Sequence, residues 1–91
     1  MITKRLFYQD SWMKEFSGEV LECRQEKQGY RVRLDRTVFY PEGGGQPYDT
    51  GILNDIPVLQ VQEMEGEIWH FVEQPMEPGI KVTGKIDWER R

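Results

Sequence analysis

Apolar and polar positions alternate with a period of two along much of the chain. Tyr30, Val32 and Leu34 are separated by Arg31, Arg33 and Asp35, the signature of a strand with one buried face. The same alternation predicts a late strand in which Ile80, Val82, Ile86 and Trp88 share one face with Gly84, while Lys81, Thr83, Lys85, Asp87 and Glu89 take the other. A third strand is expected over 68–72, with Trp69 and Phe71 opposite Ile68, His70 and Val72. A fourth, over 58–63, leads into it through a hairpin turn at Met64-Glu65-Gly66. Residues 16–25 read as another strand whose alternation is broken at Val20-Leu21, and 50–53 as a short one ended by Asn54-Asp55. Residues 10–15 are expected to form one helical turn capped by Asp10 or Ser11. No segment carries an apolar stripe of helical period over three turns. About six short strands, frequent turn signals and no crossover helix predict an all-β fold, a small closed antiparallel β-barrel or sandwich. Closing the sheet removes the exposed edges through which a small β domain would otherwise pair with its neighbours.

Composition narrows the picture. Ninety-one residues make one domain, 1–91, of which 37% are hydrophobic and 31% charged. Three Trp, four Tyr and four Phe supply the anchors for a thin core, and Trp69 and Trp88 are expected in it. The balance of 12 Lys and Arg against 16 Asp and Glu, a net charge of −4, lacks the basic excess of a free-standing nucleic-acid binder. Cys23 stands alone, which excludes a disulfide framework and fits a reducing cytoplasm. No apolar run is long enough for a signal peptide or a membrane span. The chain stops at Trp88-Glu89-Arg90-Arg91, directly after a strong strand, which predicts that more protein normally follows.

One segment differs from the rest. Thr37-Val38-Phe39-Tyr40-Pro41-Glu42-Gly43-Gly44-Gly45-Gln46-Pro47-Tyr48-Asp49-Thr50-Gly51 places three consecutive glycines between two prolines. Gly43, Gly44 and Gly45 remove every Cβ from a short arc and leave successive N–H groups unobstructed. Gln46 adds an amide that both donates and accepts. Read from the residues alone, the arc is either a tight loop between strands or a cradle against which an anion or a substrate backbone lies. It is neither a Walker loop, since no Gly-Lys-Ser/Thr follows, nor a Rossmann fingerprint. Asp35 is expected to cap or brace this loop, and Glu42 and Asp49 to bond backbone N–H groups at its glycine turns.

The run from Leu34 to Gly51 closely resembles the glycine-rich motif of the editing region of alanyl-tRNA synthetases and of the free-standing alanyl-tRNA editing proteins. Leu6-Phe7-Tyr8-Gln9-Asp10, Gly18-Glu19-Val20-Leu21 and the closing Val82-Thr83-Gly84-Lys85-Ile86-Asp87-Trp88-Glu89-Arg90-Arg91 extend the likeness over most of the chain. The resemblance implies a translation-factor-type β-barrel, the first of two subdomains in hydrolases that deacylate tRNA-Ala mischarged with serine or glycine. It implies that Thr37, Gly43, Gly44, Gly45 and Gln46 bind substrate as one wall of the editing pocket. The family's second subdomain holds zinc through a His-x-x-x-His pair and a Cys-x-x-x-His pair. With His70 and Cys23 as its only histidine and cysteine, this chain departs from that pattern. No cofactor is expected in it; zinc is expected in a C-terminal editing domain that would begin shortly after Arg91, and tRNA-Ala is engaged through the full-length protein. An editing protein is favoured over a synthetase, because Met1 precedes the barrel by only a few residues. The rival reading is a non-catalytic barrel, a binding or assembly module of the translation apparatus.

His70, beside apolar positions, is expected to be a hydrogen-bonded structural histidine, and Cys23 a small hydrophobe or an idle thiol. Arg31, Arg33 and Arg36, with Lys27, form a basic stripe. It reads as a solvated strand face next to acidic residues, with an RNA backbone contact as the alternative. Trp12, near a chain turn, is the candidate for partial exposure, with base stacking as the minority reading.

Overall fold

In a computed structural model, the described residues are 4–6, 14–42 and 49–87. Eight strands occur in them: β1 (Lys4–Arg5), β2 (Glu15–Glu26), β3 (Gly29–Leu34), β4 (Arg36–Thr37), β5 (Gly51–Leu53), β6 (Ile56–Met64), β7 (Glu67–Val72) and β8 (Lys81–Ile86). Six of them close an antiparallel barrel in the order β2-β3-β7-β6-β5-β8, and β1 pairs with β4 as a parallel ribbon beside it. The expected fold class is therefore the observed one. The helical turn expected over 10–15 falls mostly outside the described residues, and Glu15 already belongs to β2. Trp12 and Trp88 also lie outside them.

The barrel closes because β2 serves two neighbours. Its first part, Glu15 to Glu19, pairs with β8, and Val20 to Glu26 pairs with β3. The register shifts between Val20 and Glu22, where the sequence alternation also fails; such a bulge bends a strand and increases its twist. Phe16 faces Gly84 across β2 and β8. A Cβ on Gly84 would collide with the Phe16 ring, which lies directly over that glycine. Two hairpins turn on pairs of left-handed residues, Asn54 and Asp55 (φ 50° and 68°) and Glu65 and Gly66 (φ 55° and 81°). That geometry matches the right-handed twist of the flanking strands.

Among the described residues the central core cluster is built mainly from Val, Leu, Ile and Phe. Val32, Leu34, Phe39, Leu53, Val61 and Ile68 are completely buried within a cluster that also takes in Leu6, Phe16, Val20, Val82 and Ile86. Ile80 departs from its expected inward position. It precedes β8, is 38% exposed, and its N–H bonds the Glu77 carbonyl in a turn rather than a ladder partner. Trp69 is buried, at 5% exposure, yet it lies outside the core cluster. Its cover is cationic: the Arg31 guanidinium sits 4.6 Å from the ring centroid and that of Arg24 5.5 Å.

This accounts for the basic stripe. Arg31 pairs with Glu26 at 3.0 Å, Arg33 with Glu67 at 3.1 Å and Glu22 at 3.4 Å, and Arg36 with Asp35 at 3.6 Å. Arg31 and Arg33 are half-buried and ion-paired, and Arg31 also covers Trp69. Replacing Arg31 by Ala is expected to cost about 1–2 kcal/mol through lost cation–π contact and stem packing. The check is a denaturant melt together with a red shift of tryptophan emission, both smaller in Arg31→Lys.

Candidate functional site

The glycine-rich run is reached from β4. Thr37 is completely buried and starts a chain of hydrogen bonds through the barrel wall. His70 on β7 is also completely buried. Its Nδ1 lies 3.0 Å from the Val32 carbonyl oxygen. A carbonyl only accepts, so Nδ1 carries the proton and Nε2 is left as an acceptor. The Thr37 hydroxyl, 2.8 Å away, donates to Nε2, and its oxygen accepts the Phe39 N–H at 3.0 Å. Every polar atom of the imidazole is thus satisfied, as expected for a structural histidine. Burial holds its pKa down to about 4, against a smaller opposing effect of the Val32 carbonyl, so the ring is neutral at pH 7.

The imidazole sits where two strands part. Pairing of β3 with β7 runs from Tyr30 with Val72 to Val32 with His70 and stops there. Beyond that point the Thr37–His70 bond joins the walls in place of a backbone ladder. Phe39 then enters the core, with Phe16 edge-on at 6.0 Å and His70 edge-on at 5.4 Å between ring centroids.

The run is bonded on both sides. Tyr40 N–H donates to the Asp49 carboxylate at 2.8 Å, and Asp49 N–H donates to the Tyr40 carbonyl at 2.9 Å. Asp49 is 5% exposed. Glu42 N–H donates to the Val61 carbonyl of β6 at 2.8 Å, while its carboxylate accepts from the Gln60 amide at 3.1 Å. Asp49 therefore bonds a backbone N–H as the sequence indicates, whereas Glu42 bonds a side-chain amide. Among the described residues Asp35 braces a different corner. Its carboxylate accepts the Glu19 N–H at 2.8 Å and its own N–H donates to the Glu19 carbonyl at 3.0 Å, which ties the corner after β3 to β2.

Asn54 repeats the pattern on Thr83, with bonds of 2.9 Å from the Thr83 N–H and 3.0 Å to its carbonyl. Three Asx residues thus form the same two-bond clamp, each imitating one rung of an antiparallel ladder where the strands themselves do not pair. Sequence reasoning missed this device. Its only signal is an Asp or Asn next to a strand end, which is equally the mark of an ordinary turn.

Of the residues expected to bind substrate, Thr37 is the one among the described residues, and its hydroxyl is engaged by His70 and the Phe39 N–H. Gly43, Gly44, Gly45 and Gln46 lie outside the described residues. Among the described residues no three His, Cys, Asp or Glu side chains gather to hold a metal ion. Both nitrogens of the sole histidine are taken, so the donors present here do not fit a zinc site.

The fold is that of a small closed β-barrel module, in which Glu42 and Asp49, on either side of the glycine run, are each hydrogen-bonded to other described residues. Residues 4–90 match the family described as tRNA synthetases class II (A). The chain is 44% identical to the alanyl-tRNA editing protein AlaX-M of Pyrococcus horikoshii, over 99% of this chain and 41% of that protein. It is 48% identical to the alanine–tRNA ligase of Pyrococcus furiosus, over 98% of this chain and 10% of the ligase. With the alanyl-tRNA editing protein Aarsd1 of Mus musculus it shares 38% identity over 94% of this chain and 24% of the relative. The chain belongs to this family of alanyl-tRNA editing proteins and alanine–tRNA ligases, and spans less than half the length of each of these relatives.

Proposed function

We propose that this chain is the barrel part of an alanyl-tRNA editing hydrolase, which removes serine or glycine from mischarged tRNA-Ala. Gly43, Gly44, Gly45 and Gln46 form one wall of the editing pocket in the cytoplasmic full-length protein. Thr37 supports that wall through its bond to His70. The observation that carries the reading is the bonding of both flanks of the glycine run, at Thr37, Glu42 and Asp49, to the barrel and to each other. An arc without Cβ atoms would let an aminoacyl ester approach the backbone closely.

Among the described residues no donors gather into a zinc site, and on this reading the metal and the hydrolytic step belong to a C-terminal editing domain. The part played by this chain is to bind and orient the charged 3′ end. The full-length protein is expected to deacylate Ser-tRNA-Ala, and residues 1–91 alone are not. Gly44→Val in the full-length protein is expected to lower kcat/KM about 100-fold or more while the protein stays folded, because side-chain bulk blocks the close approach. Unchanged hydrolysis by a folded Gly44→Val protein would count against any role of the glycine run in the editing pocket.

A further inference from the structure

We propose that Lys4 and Arg36 together hold a backbone phosphate of the tRNA, an inference that takes its ligand from the editing reading above. Lys4 on β1 and Arg36 on β4 are register partners in the parallel ribbon beside the barrel. Both are exposed, while the next pair, Arg5 and Thr37, is half-buried and buried. Two cations thus stand side by side on the outer face of the ribbon, where like charges repel. Lysines on the barrel are placed differently. Lys81 and Lys85 on β8 face Glu19 and Glu15 on β2, opposite charges that attract across the ladder.

The other arginines among the described residues are engaged by carboxylates. Arg5 reaches Glu63 at 2.7 Å, Arg31 reaches Glu26 at 3.0 Å, Arg33 reaches Glu67 at 3.1 Å, and Arg24 is bonded to Glu22. Arg36 approaches Asp35 only to 3.6 Å, beyond hydrogen-bond length, and that carboxylate already accepts the Glu19 N–H. Among the described residues Lys4 takes part in no ion pair. The Arg36 stem passes over Gly18, where a Cβ would come within 3.3 Å of its Cγ. A phosphodiester supplies the negative charge that this pair lacks, and its two unbridged oxygens suit one guanidinium and one ammonium. Thr37 ends β4 and opens the glycine-rich run, so the two cations adjoin in the chain the segment that meets the aminoacyl ester.

The test uses the full-length protein and uncharged tRNA-Ala, with dissociation constants measured over a range of salt. Lys4→Gln and Arg36→Gln are each expected to weaken binding about 3–10-fold near about 0.1 M salt, and to reduce the slope of log K against log salt by about 0.7–0.9. Lys81→Gln, at a lysine that faces a carboxylate, is expected to bind within about twofold of wild type. On Ser-tRNA-Ala the loss should fall on KM more than on kcat. Removing one of two like charges should leave the melting temperature unchanged or raised. Weaker binding with a lower melting temperature assigns the pair a structural role and overturns the inference. Unchanged affinity and slope in both Gln variants also overturn it, as does a loss in Lys81→Gln as large as theirs. Should Arg36→Gln fail to fold, Lys4→Gln decides alone by the same criteria. A wild-type protein that neither binds tRNA-Ala nor deacylates Ser-tRNA-Ala overturns the editing reading and this inference with it, whereas an active wild type whose Gln variants bind unchanged overturns the inference alone.

Discussion

Phe39→Ala is expected to lose about 3–5 kcal/mol of folding free energy, the usual cost of emptying a fully buried aromatic site. Phe39 has no exposed surface, and its ring meets Phe16 from β2 and His70 from β7 edge-on. A chain of this length is stabilised by roughly 5–14 kcal/mol in total, so the substitution removes a large share of what holds the barrel together. The apparent melting temperature should fall by about 12 °C or more, read by circular dichroism. Phe39→Leu, which leaves a smaller void, should lose clearly less. Equal stability of Phe39→Ala and wild type would show that the ring does not occupy the centre of the barrel.

Acidification is expected to destabilise the fold before the carboxylates contribute. The buried His70 imidazole is neutral with a pKa of about 4, against a usual value of 6.5. Between those two values the unfolded chain takes up a proton that the folded chain does not. Stability is therefore complete above about pH 6.5, declines as pH falls through that window, and loses its dependence on this group below about pH 4. The slope approaches about 1.4 kcal/mol per pH unit, and the accumulated loss is about 3 kcal/mol. The carboxylates of Glu22, bonded by Arg24, and of Glu63, bonded by Arg5, are held below their usual 4.5. Their contribution is present above that value and is lost only at lower pH. Urea melts at several pH values between 7 and 4 test this. His70→Gln should be less stable at pH 7 and nearly flat from pH 6.5 to 4.5, and a His70→Gln slope equal to that of wild type would exclude the imidazole as its source.

Alternation revealed the strands because each has one face against the core. Val32 and Leu34 on β3, and Val82 and Ile86 on β8, lie where the period of two places them. Even the bulge in β2 was visible as a break at Val20-Leu21. Ile80 continues the pattern by one position beyond the point at which the chain joins the ladder, and periodicity alone does not mark that point. Trp69 exposes a second limit. Its alternation correctly set it opposite Ile68 and His70, but its cover includes two guanidinium groups, Arg31 on the adjacent β3 and Arg24 on β2 beyond it. Cover of that kind is a tertiary event with no period.

The candidate site was legible in kind more than in construction. Three glycines between prolines announce a special backbone, and the adjoining residues carried the family resemblance. What anchors that backbone was not readable. The Thr37–His70 bond and the parallel pairing of β1 with β4 join residues far apart in sequence. The Asx clamps use residue types found in most turns. Such contacts depend on which strand ends meet once the barrel has closed.

The Asp49–Tyr40 clamp has an evolutionary consequence. The two bonds between Tyr40 and Asp49 join residues nine apart in sequence, and doubling the length of a loop closed in this way costs only about 0.6 kcal/mol in closure entropy. Insertions between the two residues are therefore cheap as far as closure is concerned, whereas changes at Glu42 are not free, because its N–H is also bonded to the Val61 carbonyl of β6.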